Sequence, residues 1–322
     1  MNAFLGELGK KLAERWLTLL VLPGLLYLSV LTVAAILGQH HATDVGILRA
    51  WVDTAAAAPA SSSPAVVLAG AIGILSGAAG AGLAATALGQ LIQQVWTTPG
   101  RRAPARWLTR WRRDRWNRAY ATVRTTLEDL ATARADTTPN PSLASRGLDA
   151  KVAACARICL VPADRPTWIG DRLRATDERI HLTYRLDMSA AWPRLWLIIP
   201  DTARTELSTA HDSYTAAATL TGWALLYLAA GTWWWPALLI AAITGTTAWI
   251  RARAATTVLA ALTETTVDLY GPELARQFGI TCPGTLTPDI GHTLTITIRK
   301  DDTLHPVGAQ NSATSLRPPE VT

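Results

Sequence analysis

Residues 16–37, 65–94, 216–232 and 233–250 contain no Asp, Glu, Lys or Arg, and no other feature constrains the fold of this chain so tightly. About 20 apolar residues in a helix cross roughly 30 Å of hydrocarbon. The first stretch reaches that length and the second exceeds it, while the third and fourth, at 17 and 18 residues, are short for a span. Gly231 and Pro236 bracket a tight turn between the last two. The pattern predicts an all-α integral membrane protein built from two transmembrane helical hairpins, over residues 16–96 and 216–250. The sequence AAPA near Ala60 imitates a signal-peptide cleavage site. The apolar run before it is too long for a signal peptide, and a second span follows directly.

Charge orients the spans. Of the 30 Lys and Arg residues, only Arg49 lies in the 38–64 loop, which leaves 30 − 1 = 29 in segments that share one side if the spans alternate. The positive-inside bias makes that side cytoplasmic, with both termini inside and the protein in the cell (inner) membrane. Trp16, Trp96 and Trp249 then fall at the inner boundary and Trp233, Trp234 and Trp235 at the outer one, as an interfacial aromatic belt requires. All three cysteines, Cys155, Cys159 and Cys282, lie on the reducing side, so no disulfide is expected.

The second span is nearly devoid of bulk. Read at every fourth residue it gives Ala69, Gly73, Gly77, Ala81, Ala85 and Gly89. In water each glycine costs a helix about 1 kcal/mol relative to alanine. In lipid, small residues at this spacing let two helices touch backbone to backbone. The row predicts a helix-packing surface, a glycine zipper, whose length favours association between copies of the chain, although a partner span of the same chain meets the same requirement.

The remaining segments read as helical cytoplasmic parts. Residues 2–15 form a short amphipathic leader, with Phe4, Leu5, Leu8 and Leu12 on one face. Eight arginines against Asp114 give residues 97–118 a charge of 8 − 1 = +7, interleaved with Trp107, Trp111 and Trp116. Stacking on single-stranded nucleic acid and docking on a protein are alternatives for such a segment. Its place directly after a span favours anionic lipid headgroups, so Arg106, Trp107, Arg110, Trp111, Arg112 and Arg113 are assigned to the lipid surface, and no nucleic acid is expected. Cys155 and Cys159, at a spacing that matches neither zinc nor redox motifs, read as small core residues. Asp187 is placed to cap a helix starting at Met188. In that helix Trp192 and Trp196 share a face, either along the inner membrane surface or within the cytoplasmic domain. A helix runs from Thr202 into the third span, and another continues past the fourth until Pro272 breaks it. Residues 251–300 form a cytoplasmic C-terminal region. Only His292–Arg299 alternates as a strand, which predicts a short C-terminal β element, and residues 301–322 read as a disordered tail.

The segment Arg165–Asp201 carries P-T-x-x-G-x-x-L, then Y-x-L-D, then W-P-R-L-W and a final P, and the leader reads GELGKKLAERWLTLLVLPG. In order and content these pieces resemble a group of uncharacterised, actinobacterial-type multi-pass membrane proteins. The resemblance covers about a fifth of the chain. It implies an integral membrane protein and carries no activity over to any residue.

Three classes of function meet these readings: a homo-oligomeric membrane assembly, pore-forming or not, whose cytoplasmic domain senses or binds a protein partner; a small-molecule or ion transporter; and a membrane-anchored enzyme. Coupled transport commonly uses ionisable groups within the membrane, and the four spans have none. No nucleophile elbow, P-loop, HExxH or paired-cysteine zinc pattern occurs. Asp171, Asp177, Glu178 and His181 are the candidates for acid–base chemistry, but Asp171 and Glu178 are also what a solvated helix face carries beside Arg172, Arg174 and Arg179. His40 and His41 are adjacent, so they do not share a helix face, and with Asp44 they lack a third strong ligand for a metal. The first reading leads, with no enzyme activity, no cofactor and no metal expected.

Overall fold

The computed structural model describes residues 21–57, 64–100, 105–135, 141–159 and 161–300. These fold into ten α-helices and no strand: α1 (Leu22–Leu37), α2 (Val45–Ala57), α3 (Pro64–Thr97), α4 (Ala105–Ala135), α5 (Pro141–Ile158), α6 (Trp168–Tyr184), α7 (Met188–Ile198), α8 (Asp201–Ala230), α9 (Pro236–Gln277) and α10 (Pro288–Arg299). The leader over residues 2–15 and the tail over 301–322 lie outside the described residues. Two compact units divide the chain. The first draws on residues up to Ala105, on Arg165–Ile169 and on His211–Ala255. The second draws on Arg106–Asp164, Gly170–Ala210 and the chain from Thr256 on.

In the first unit α1, α3, the second half of α8 and the first half of α9 pack together on small residues. A side-chain carbon at Gly24 would collide with the carbonyl oxygen of Ala78, one at Gly222 with that of Ala85, and one at Gly89 would lie 2.9 Å from the Cα of Thr219. Only glycine permits approaches this close. Tyr27 fills the space beside them, its ring 6.0 Å from that of Trp223 and 5.3 Å from that of Tyr227. The two inter-helix turns of this unit meet. The Gln39 amide donates to the carbonyl of Thr232 (2.9 Å), and the Trp234 indole N–H donates to the carbonyl of Ala42 (3.0 Å). At the opposite end of α3, Trp96 packs with Ile169, Tyr214, Ala218 and Ala252, and its carbonyl accepts the hydroxyl of Thr167 (3.2 Å).

Among the described residues one helix, α3, is long and apolar enough to cross a membrane, and α1 is apolar over 16 residues. A core helix of a water-soluble protein meets the same length and composition test, but it is mostly covered. Only 11% of the most apolar 18-residue window of α3 is buried. The stretches 216–232 and 233–250 fall in α8 and α9, which are separated at residues 231–235 by a turn anchored by the Gly231 N–H on the Tyr227 carbonyl.

The second unit has an apolar core of α6, α7, α10, the start of α8 and the end of α9, with Leu186, Leu195, Val267, Leu274 and Leu294 almost wholly enclosed. Asp187 caps α7 as expected, accepting the Ser189 backbone N–H at 3.0 Å. Two expectations are corrected here. Pro272 does not end its helix: α9 runs 42 residues, through Pro272 to Gln277, because Leu274 and Ala275 beyond the proline are held in the core. Residues 292–299 form helix α10 in place of the expected β element. Thr287 caps it, Pro288 occupies its first turn, and Gly291, Leu294 and Ile298 make the buried face at helical spacing. Thr293, Thr295 and Thr297 donate their hydroxyls to the carbonyls of Asp289, Gly291 and Thr293 at 2.8–2.9 Å, which reconciles three β-branched residues with a helix.

Candidate functional site

The six small residues of α3 divide. Ala85 is fully enclosed and Gly89 lies against the backbone of Thr219, so both belong to the seam with α8. Ala81 is half-buried, and Gly77 faces a methyl of Leu28. Ala69 and Gly73 are exposed, with nothing within 4 Å of the position a side-chain carbon would take at Gly73. The buried row inside the chain is Ala78, Gly82, Ala85 and Gly89, which is rotated from the every-fourth-residue reading. The glycines that complete it, Gly24 and Gly222, stand alone in bulky stretches, and nothing in the local sequence distinguishes them from turn or kink residues.

Residues 64–77 of α3 are exposed on every side, including Val66, Val67, Leu68, Ile72, Ile74 and Leu75. The same unit exposes Leu22 and Leu26 on α1, Leu225 and Leu228 on α8, and Leu239, Ile243 and Ile250 on α9. Monomeric soluble proteins rarely leave a contiguous apolar surface of this extent uncovered.

The basic helix α4 has two faces with different work. Arg106, Trp107, Arg110 and Trp111 point outward, Trp107 being 71% and Trp111 51% exposed, and the Arg115 guanidinium lies 5.8 Å from the Trp111 ring. Arg112, its side chain 11% exposed, turns inward, whereas Arg113, 47% exposed, stays at the surface while it also bonds within the chain. Arg112 pairs with Asp171 at 3.0 Å and donates to the carbonyl of Ile158. Arg113 donates to the carbonyl of Ala163 (2.9 Å) and pairs with Asp164. Trp116, four residues beyond Arg112 on the inward face, donates its indole N–H to the carbonyl of Cys159 (2.9 Å). This face grips the segment between α5 and α6 whose carbonyls lack helical partners.

Among the described residues Asp171 is the most enclosed charged group, with no exposed surface. Its carboxylate meets Arg112, has Arg174 at 4.0 Å, and accepts the Asp164 backbone N–H at 3.0 Å. The expectation of a solvated acid is therefore corrected, since a buried carboxylate needs this set of partners. Nearby, Glu264 of α9 accepts the Thr176 hydroxyl (3.2 Å) and pairs with Arg172 and Arg179 of α6. Burial would raise the Asp187 carboxyl, but hydrogen bonds from Ser189 and Arg299 outweigh it and hold the group below its ordinary value. A hydrogen bond to Asp268, aided by burial, pushes the Tyr184 phenol up to about 12. Burial also raises the thiols of Cys155 and Cys159, so both stay protonated at neutral pH and neither is a ready nucleophile.

Trp192 and Trp196 do share a face, with ring centroids 6.0 Å apart, and both are half-buried against the core of the second unit. Among the described residues no group of three His, Cys, Asp or Glu is placed to hold a metal ion. Comparison of the chain with protein-family models, with curated proteins and with solved structures finds no match.

Proposed function

We propose that this chain is a multi-pass inner-membrane protein that assembles with copies of itself, crosses the bilayer as two helical hairpins, and keeps both termini, the basic segment and the region after Ile250 in the cytoplasm. The observation that carries the reading is the first half of α3, fourteen residues without a charge and exposed on every side. Surface of this kind is stable against lipid tails or against another apolar helix, and Ala69 and Gly73 offer a second helix the backbone approach that membrane association uses.

Charge at the two ends of the first unit supports the orientation. The joined turns over residues 38–43 and 231–235 contain no Lys or Arg, whereas Arg165, Arg251 and Arg253 accompany Trp96 at the other end. Arg253 lies 4.4 Å from the Trp168 ring centroid, an aromatic and cationic pairing suited to the headgroup region. The resemblance to uncharacterised multi-pass proteins points the same way. Arg106, Arg110, Trp107 and Trp111 make the contact with anionic headgroups, and the second unit is the part available to a cytoplasmic protein partner.

Oligomer size tests the assembly. Purified in detergent and again in lipid nanodiscs, the parent is an oligomer, and Gly73→Leu reduces it to a smaller species without lowering its thermal stability. A parent that is monomeric in both, or a Gly73→Leu variant of unchanged size, contradicts self-association through this face.

A further inference from the structure

A groove of about 800 Å³ runs along the first unit, bounded by α1, α3, α8 and α9. One face of α8 lines it from end to end, with Asp212, Thr215, Thr219, Trp223 and Tyr227 at helical spacing. Fifteen residues at 1.5 Å each give a length of about 22 Å. Leu26 of α1 and Leu83 of α3 provide apolar walls opposite, with Thr86 and Thr244 between them. The volume lies in the range of sites that enclose small organic ligands.

The formal charge in this groove has one sign. Thr86 and Thr219 donate their hydroxyl protons to the carbonyls of Gly82 (2.9 Å) and Thr215 (3.1 Å) of their own helices, which leaves their oxygens as acceptors toward the groove. Asp212 brings a carboxylate to one end and makes no ion pair among the described residues, and neither Lys nor Arg lines the cavity. A groove with apolar and aromatic walls, acceptor oxygens and one terminal carboxylate is complementary to a molecule with a long apolar body and a single cationic donor at its end. An anionic or zwitterionic lipid would set its phosphate against that carboxylate.

We propose that this groove binds a lipophilic amine, with its protonated ammonium on Asp212 and its hydrocarbon along Leu83, Leu220 and Trp223. The proposal rests on the membrane reading above, since the groove lies among the helices assigned to the bilayer. It adds a ligand class that the assembly reading does not require.

The test uses the full chain in phosphatidylcholine nanodiscs, photolabelled with dodecylamine bearing a terminal diazirine and competed with plain dodecylamine. Crosslinks are expected on residues 212–227 of α8 and on α3 near Leu83, and they are suppressed by the competitor. Asp212→Asn lowers capture of the amine by about tenfold or more, the order that a charge-assisted hydrogen bond contributes. The uncharged dodecanol diazirine labels parent and variant alike. Ala216→Phe, which places a ring in the groove, lowers capture of both probes. Equal amine capture by Asp212→Asn and the parent, or crosslinks spread outside the groove, overturns the proposal. Failure of the chain to enter nanodiscs at all instead contradicts the membrane reading itself.

Discussion

Replacing Gly222 with alanine adds one methyl group to α8, and the structure gives the sign of the outcome against the usual preference for alanine in helices. That methyl would collide with the Ala85 carbonyl oxygen and stand 3.2 Å from the carbonyl carbon and 3.3 Å from the Gly89 nitrogen. The contact is backbone, so no side-chain rotation relieves it and α3 and α8 must separate. A radial gap of 0.5–1 Å already forfeits a quarter to a half of each dispersion contact along the seam. Overpacking of this kind costs about 1–3 kcal/mol, and the helix-propensity gain of about 1 kcal/mol offsets part of it, leaving a net loss of up to about 2 kcal/mol. Within a single chain the same change at Gly73 meets nothing within 4 Å, so in micelles dilute enough to hold monomers it keeps the propensity gain and is neutral or stabilising by up to about 1 kcal/mol. Unfolding in mixed detergent micelles, followed by circular dichroism, compares the two variants with the parent. Opposite signs are expected. A Gly222→Ala variant as stable as Gly73→Ala refutes the close approach of the two backbones.

Two further outcomes follow from the second unit. Arg112→Ala removes the nearest cation of the enclosed Asp171 carboxylate, leaving it Arg174 and the Asp164 N–H, and lowers stability by about 3 kcal/mol, whereas Arg110→Ala changes stability by less than about 0.5 kcal/mol and weakens binding to anionic over neutral vesicles. Chemical denaturation and vesicle flotation of both variants separate the two roles. Asp187 is held below its ordinary 3.8, so its contribution to stability is present above that value and is lost as the pH falls through the lower folded value. Stability measured across this acid range should fall for the parent and fall less steeply for Asp187→Asn.

The parts of this fold legible in the sequence are those governed by a local rule. Asp187 with Met188 signalled a cap and a helix start, and the chain from Thr202 into the third span read as one helix, which α8 is. Long-range packing decided what the sequence left ambiguous or misread. His292–Arg299 satisfies both a two-residue and a helical period, and only the enclosure of Gly291, Leu294 and Ile298 by other parts of the chain selects the helix. Pro272 carries the local signal of a helix end, yet core contacts on both sides override it. At the candidate site, the small-residue composition of α3 was evident but its angular position was not, because contacts with Gly24 and Gly222 lie at distant points in the chain. The double face of α4 was hidden for the same reason: the bonds of Arg112 and Arg113 are made to Asp171 and to the carbonyls of Ile158 and Ala163, not to any neighbour in sequence.

Membrane topology is the claim on which the rest depends, and cysteine labelling from outside intact cells tests it most directly. Cys155, Cys159 and Cys282 are buried and unpaired, so their background is low. Asp53 in α2 and Asp129 in α4 are both exposed positions. Four spans with both termini inside place Asp53 outside and Asp129 in the cytoplasm. A membrane-impermeant maleimide should therefore label Asp53→Cys in intact cells and reach Asp129→Cys only after the membrane is permeabilised. Labelling of Asp129→Cys in intact cells, with Asp53→Cys protected, contradicts the orientation, and labelling of both variants only after permeabilisation contradicts the hairpin crossing.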